Sequence, residues 1–219
     1  MTDFTTTYIV AGGPSLFGFD WARLRDRTVI AVNRAFEVLP DAAVCYFGDR
    51  RFWGWHSRAL LAHKGRKITA APHFAQDGVE HYKLSTLTGL DMRPGKLAHG
   101  NNSGYAAINL AVQLGAKHIY LLGYDMKFAG HRCHWHAPHP IENREVVFGK
   151  VMIPYFQTLV EPLDELNVRV RNASPDSAIR CFPRCTIDDA LLGGVGTLAP
   201  VSKNREPFFQ LQPTITNAI

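Results

Sequence analysis

Six short apolar runs, rich in β-branched and aromatic residues, constrain this chain more than anything else in it. They are Tyr8–Val10, Thr28–Asn33, Ala42–Phe47, Lys67–Ala71, Lys117–Leu122 and Val168–Arg171. Runs so short and so apolar read as strands buried on both faces. Helical spacing fills the intervals. Residues 50–63 bring Phe52, Trp53, Leu60 and Leu61 to one side, and 105–114 repeat Ala106, Leu110, Ala111 and Leu114 before Gly115. Strands alternating with helices predict an α/β domain: a mostly parallel sheet with helices on both faces. Ligands of such sheets bind at the carboxyl ends of the strands. The residues there are Gly12-Gly13-Pro14-Ser15, Asn33, Gly48-Asp49, Gly123 to Asp125 and Asn172 to Ser174. One small or polar ending is ordinary loop chemistry; five in register predict a polar nucleotide cleft.

The first of these endings is the most specific. Gly12 and Gly13 let the backbone turn and approach a ligand with no Cβ in the way. Pro14 suits the first turn of a helix, and Ser15 adds a hydroxyl beside backbone N–H groups able to face a phosphate. The pattern is neither Gly-x-Gly-x-x-Gly nor a Walker loop, so it licenses neither dinucleotide nor P-loop chemistry.

A chain of 219 residues is long enough for one full-sized core. We expect residues 1–192 to form a nucleotide-binding transferase domain, with 72–100 as a variable insertion or lid where the pattern blurs. Residues 193–219, rich in Gly, Pro, Asn and Gln, read as a C-terminal tail on the surface or on a partner, and a homo-oligomer stays open. Residues 144–166 read as a long helix that Pro154 and Pro162 kink. Thr186–Leu192 reads as a short capped helix. The net charge of +5 suits an anionic ligand, while the lack of a Lys/Arg stripe argues against specific nucleic-acid binding. No apolar stretch reaches membrane-spanning length, and Met1-Thr-Asp-Phe lacks the basic start of a signal peptide. Cys45, Cys133, Cys181 and Cys185 are dispersed, as in reduced, cytoplasmic proteins.

The strand ends carry a family resemblance. Ala11-Gly-Gly-Pro-Ser-Leu16 resembles the glycine-proline-serine turn of bacterial Rossmann-like sialyltransferases that use CMP-sialic acid. It is also similar to the hydroxymethylpterin diphosphokinase-like domains, a group with many phage and prophage members. Asn33 falls where the sialyltransferases place an asparagine near the nucleotide. Asn102-Ser-Gly104, the helix after it and Ile119-Tyr-Leu-Leu-Gly-Tyr-Asp125 resemble their Thr-Ser-Gly, helix and Ile-Tyr-Leu-x-Gly-x-Asp segment. Asn172 to Ser177 resembles their final proline-asparagine-serine turn. The resemblance implies a Rossmann-like transferase that moves a sugar from a CMP-type donor to a glycan or other hydroxyl acceptor. No cofactor is required in that chemistry, though Mg²⁺ stays open. It implies nucleotide contacts from Gly12, Gly13, Ser15, Asn33, Asp49, Ser103, Gly104, Gly123, Asp125 and Ser174. The family has an asparagine at the position of Gly12 and another at that of Asp49. These departures keep open a non-enzymatic phage-type binding or assembly protein. An ATP-dependent diphosphokinase is a further alternative, with Asp49 and Asp125 as its carboxylates for Mg²⁺.

The densest chemical cluster is His131-Arg-Cys-His-Trp-His-Ala-Pro-His139. The resemblance implies a histidine between the Gly-x-Asp strand and the following helix as general base on the acceptor hydroxyl. An imidazole that titrates near neutrality suits that task. His139 is the first candidate and His136 the second. The alternative is zinc: His134-x-His136-x-x-His139 matches the ligand run of metallo-β-lactamase-type hydrolases, with Pro138 standing where those have an aspartate. In an extended segment His134 and His136 share a face, as zinc ligation needs.

Overall fold

The computed structural model describes residues 2–136 and 145–192. The expected α/β architecture is present. Seven strands form one parallel sheet: β1 Thr6–Val10, β2 Val29–Val32, β3 Val44–Phe47, β4 Arg66–Thr69, β5 Glu80–His81, β8 His118–Leu122 and β9 Arg169–Asn172. Two more, β6 Lys83–Leu84 and β7 Lys96–Leu97, pair with each other alone. The main sheet runs β5-β4-β3-β2-β1-β8-β9. The chain therefore winds outward from β1 to one edge, then returns to lay β8 and β9 on the other side. Val10 lies level with Ala31 of β2 and with Leu122 of β8. The direction of winding reverses between β1 and β8, which makes their carboxyl ends the crevice of the fold.

The strands are apolar throughout because both faces are covered. Ile9, Ile30, Val32, Val44, Tyr46, Ile119 and Leu121 point into one buried cluster, with Tyr105, Leu110, Phe156 and Leu159. Their neighbours Tyr8, Val10, Val29, Ala31, Cys45, Phe47, Tyr120 and Leu122 point into the other, with Leu16, Phe36, Phe52 and Leu60. The period-two alternation of side chains thus divides each strand between two cores. Helix α2 (Ser103–Gln113) is buried from Gly104 to Val112, whereas α1 (Arg50–Ala62) buries only Phe52 and Leu60.

Residues 72–100 are built into the fold: β5 extends the sheet edge, and Leu97 and Ala98 lie in the core. Buried Asn109 of α2 stitches this stretch down, its Oδ1 accepting from the N–H groups of Asp91 (3.0 Å) and Ala98 (2.8 Å). The helix expected over 144–166 is segmented into α3 (Glu145–Val147), a π-helical turn Phe148–Met152, α4 (Ile153–Phe156), a 3-10 turn Gln157–Leu159 and α5 (Val160–Glu165). Pro154 lacks an N–H and its ring crowds the preceding turn; the wider π turn immediately before it absorbs the mismatch. The last described helix, α6 (Ile187–Leu191), carries the predicted cap, a reciprocal box between Thr186 and Asp189. The tail 193–219 lies outside the described residues.

Candidate functional site

The turns after β1 and β8 lock together at the crevice. The Gly13 N–H donates to the carbonyl of Gly123 at 2.8 Å. Asp125 takes Ser15 with both oxygens: the backbone N–H donates to Oδ1 at 3.0 Å and the hydroxyl to Oδ2 at 2.8 Å. Burial pushes the Asp125 carboxyl above its ordinary range, against the Ser15 hydrogen bonds that pull it down. Tyr124 anchors the second turn. Its N–H donates to Ser174 Oγ at 2.7 Å, its hydroxyl to the Gly104 carbonyl at 3.0 Å, and its carbonyl accepts from Ser177 Oγ at 2.6 Å. Ser174 is fully buried in this role. Gly104 is close-packed as well, because a Cβ there would stand 2.9 Å from the Tyr124 ring.

The histidine segment folds back over the first turn. The Trp135 N–H donates to the Gly12 carbonyl at 3.0 Å and its indole Nε1–H to the Ala11 carbonyl at 3.1 Å. Its ring packs 4.8 Å from that of Trp21. This anchor holds His134 and His136 above Gly12, their rings stacked at 4.7 Å and 12° apart in plane. A Cβ on Gly12 would stand 2.9 Å from His134 Nδ1 and 3.4 Å from His136 Nε2. The glycine where the resembling family has an asparagine is therefore the space these rings fill. His139 lies outside the described residues. Among the described residues no group of three His, Cys, Asp or Glu side chains is arranged to hold a metal ion.

The ends of β2, β3 and the start of α2 line the next part of the edge. Asn33 turns the chain with φ of 51°, a left-handed conformation that asparagine tolerates better than most residues. Arg34 follows it, its Nη1 3.4 Å from His136 Nδ1. Gly48 approaches the start of α2 so closely that a Cβ would be 2.9 Å from Ser103 Oγ and 3.8 Å from the Tyr46 hydroxyl. That hydroxyl is buried with no hydrogen-bond partner among the described residues. Asn102, not Ser103, caps α2, its Oδ1 accepting from the Tyr105 N–H at 2.8 Å. Asp49 caps α1 through the Arg51 N–H at 2.8 Å and pairs with the Arg51 guanidinium at 2.6 Å. The two carboxylates of the diphosphokinase alternative are thus each hydrogen-bonded within the protein, Asp49 to Arg51 and Asp125 to Ser15.

Gly12, Gly13, Ser15, Gly123 and Asp125 accordingly meet at one crevice, with His134 and His136 above. Gly48, Ser103 and Gly104 meet at the next strand end, and Asp49 turns to its own helix. Arg34, Tyr46 and Trp135 were not among the expected site residues. Arg34 directly follows the polar end of β2, as Arg50 follows that of β3.

No family profile and no curated protein sequence matches this chain. Among solved structures it is similar to the sialyltransferase CstII from Campylobacter jejuni in complex with a substrate analogue, CMP-3FNeuAc. The identity is 13%, over 83% of this chain and 86% of that one, with a TM-score of 0.49. A second structure of CstII from Campylobacter jejuni, with cytidine-5'-monophosphate, matches at 13% identity over 82% and 84% of the two chains, TM-score 0.43. No helix among the described residues is long and apolar enough to cross a membrane.

Proposed function

We propose that the protein is a glycosyltransferase that takes a sugar from a CMP-type nucleotide donor and passes it to a hydroxyl acceptor. The observation that carries this reading is the stacked pair His134 and His136 held over side-chain-free Gly12, at the crevice between β1 and β8. A cleft for an elongated nucleotide and a base over its reacting end are what such a transfer needs. The motif resemblance from Ala11 to Ser177 supports the choice of donor. In the reading, Gly12 and Gly13 let the turn after β1 close against the histidines and Asp125, and Asn33 and Ser103 contact the donor's nucleoside. His136, or His139 beyond it, accepts the proton of the acceptor hydroxyl. The acceptor oxygen forms its bond to the anomeric carbon while the bond from that carbon to the phosphate oxygen breaks, and CMP leaves with the electron pair.

The test is CMP release from CMP-sialic acid by the full-length chain, with transfer to water as readout. The reading expects release above the spontaneous rate and a fall in kcat of about 10²–10⁴-fold in whichever of His136→Ala and His139→Ala removes the base. No release, or equal rates in both variants and the wild type, would overturn it.

A further inference from the structure

The rim beside the histidines is basic, and its own two segments hold nothing to neutralise it. Residues 11–19, the turn after β1, and 126–136, the histidine segment, contain no Asp or Glu. Asp125, which precedes the second, is buried and bonded to Ser15. Asp20 caps the turn Trp21–Leu24, and Glu37 pairs with Arg34. Against these stand Lys127 and Arg132, and among the described residues neither is in an ion pair. We infer that these two cations, with the exposed ring of Phe17, are a recognition site for an acidic sugar, so that the acceptor of the proposed transfer carries a carboxylate. This inference rests on the glycosyltransferase reading of the same crevice.

Each half of the site is set by its own local structure. Phe17 closes the 3-10 turn Pro14–Leu16, its N–H donating to the Pro14 carbonyl at 3.0 Å, and Gly18, with φ of 74°, then turns the chain. The ring is left 65% exposed instead of sinking into either core. Arg132 ends a tight reversal in which it and Ala129 exchange both backbone hydrogen bonds, at 2.8 and 3.1 Å, around Gly130 with φ of 60°. From there its guanidinium lies over the Phe17 ring, 4.4 Å from the centroid. Stacking on the ring holds the fork in one plane, so less side-chain freedom is lost when a carboxylate takes it bidentately. The exposed part of the ring offers apolar contact to the C–H face of the same sugar. Lys127 stands two residues past Asp125, where its charge opposes the effect of burial on that carboxyl, and it adds attraction without a fixed geometry. Phe17 follows Ser15 by two residues and Arg132 precedes His134 by two, so the site borders the histidines. That is where an acceptor has to present its hydroxyl to the base.

Binding of the full-length protein to an array of neutral, carboxylated and sulfated glycans tests this. The variants are Arg132→Ala, Arg132→Lys, Phe17→Ala and, as a control on an exposed ion pair at the start of β4, Arg66→Ala. Wild type and Arg66→Ala should prefer carboxylated glycans to their neutral counterparts by about 10–100-fold, the scale of a charge-assisted contact. Arg132→Ala should abolish the preference, and Phe17→Ala should reduce it. Arg132→Lys, which keeps the charge and loses the fork, should keep part of it and guards against a folding defect. A preference that persists in Arg132→Ala, or one for sulfated over carboxylated glycans, would overturn the inference. Calorimetric titration of the wild type with CMP reports separately on the nucleotide reading. CMP binding without any preference among the glycans would overturn the inference alone. Carboxylated-glycan binding that depends on Arg132, in a protein that does not bind CMP, would support the site and sink the transferase reading. Binding of neither would overturn both.

Discussion

A Cβ on Gly13 would stand 1.9 Å from Oδ2 of Asp125, closer than any side chain can come to a carboxylate it does not bond. The carbonyl of Gly123 would be only 2.4 Å away. Nothing at this position can yield cheaply, because Asp125 is tied to Ser15 and Gly123 is backbone. Gly13→Ala should therefore lower stability by about 1–3 kcal/mol, the cost of overpacking, and the melting midpoint by roughly 2–12 °C. Gly54→Ala on α1, where a Cβ meets nothing within 4 Å, should do the reverse. Removing a helical glycine gains about 0.5–1 kcal/mol. Gly12→Ala is the third case: it meets the movable ring of His134, so its midpoint should stay near wild type while CMP release falls. A Gly13→Ala midpoint equal to wild type would contradict the locked crevice.

The buried Asp125 carboxyl gives a pH signature. Its folded value lies above the ordinary 3.8. A group raised on folding contributes stability that is full below the unfolded value and is lost as pH rises through the folded one. Asp125→Asn cannot ionise, yet its Oδ1 can still accept from the Ser15 N–H. The variant should gain on wild type in melting midpoint as pH increases from below 3.8 toward neutrality. Asp125→Ala, which orphans the Ser15 N–H, should lose about 1–3 kcal/mol. A gap between Asn and wild type that stays constant or narrows with rising pH would contradict the assignment.

Tyr46 carries a hydroxyl buried without a partner among the described residues, near Gly48 and Ser103. Burying an unsatisfied hydroxyl costs about 1–3 kcal/mol. Tyr46→Phe removes the cost and keeps the ring, so the unliganded variant should melt at or above the wild-type midpoint. A marked fall would mean the hydroxyl is satisfied after all.

The sheet was legible because its strands are covered on both faces. Tyr8, Ile9 and Val10 serve two cores in turn, so no polar residue interrupts the run. Strands β5 to β7 were not legible, since each is two residues long and Glu80, His81 and Lys83 are exposed. The five polar endings were read correctly as one edge. What the order of residues could not reveal is that Ser15 and Asp125, 110 positions apart, satisfy each other. Nor could it reveal that the missing side chain at Gly12 makes room for two imidazoles.

Hydrogen exchange of the full-length protein, with and without CMP, tests the central claim most directly. A ligand at one hundred times its Kd stabilises the folded state by about 2.7 kcal/mol, enough to slow local opening visibly. The account predicts new protection confined to residues 11–16, 33–37, 48–49, 101–105, 123–125 and 131–136, the segments at the carboxyl edge of β1, β2, β3 and β8 and at the start of α2. Protection elsewhere on the molecule, or none with CMP at millimolar concentration, would contradict it.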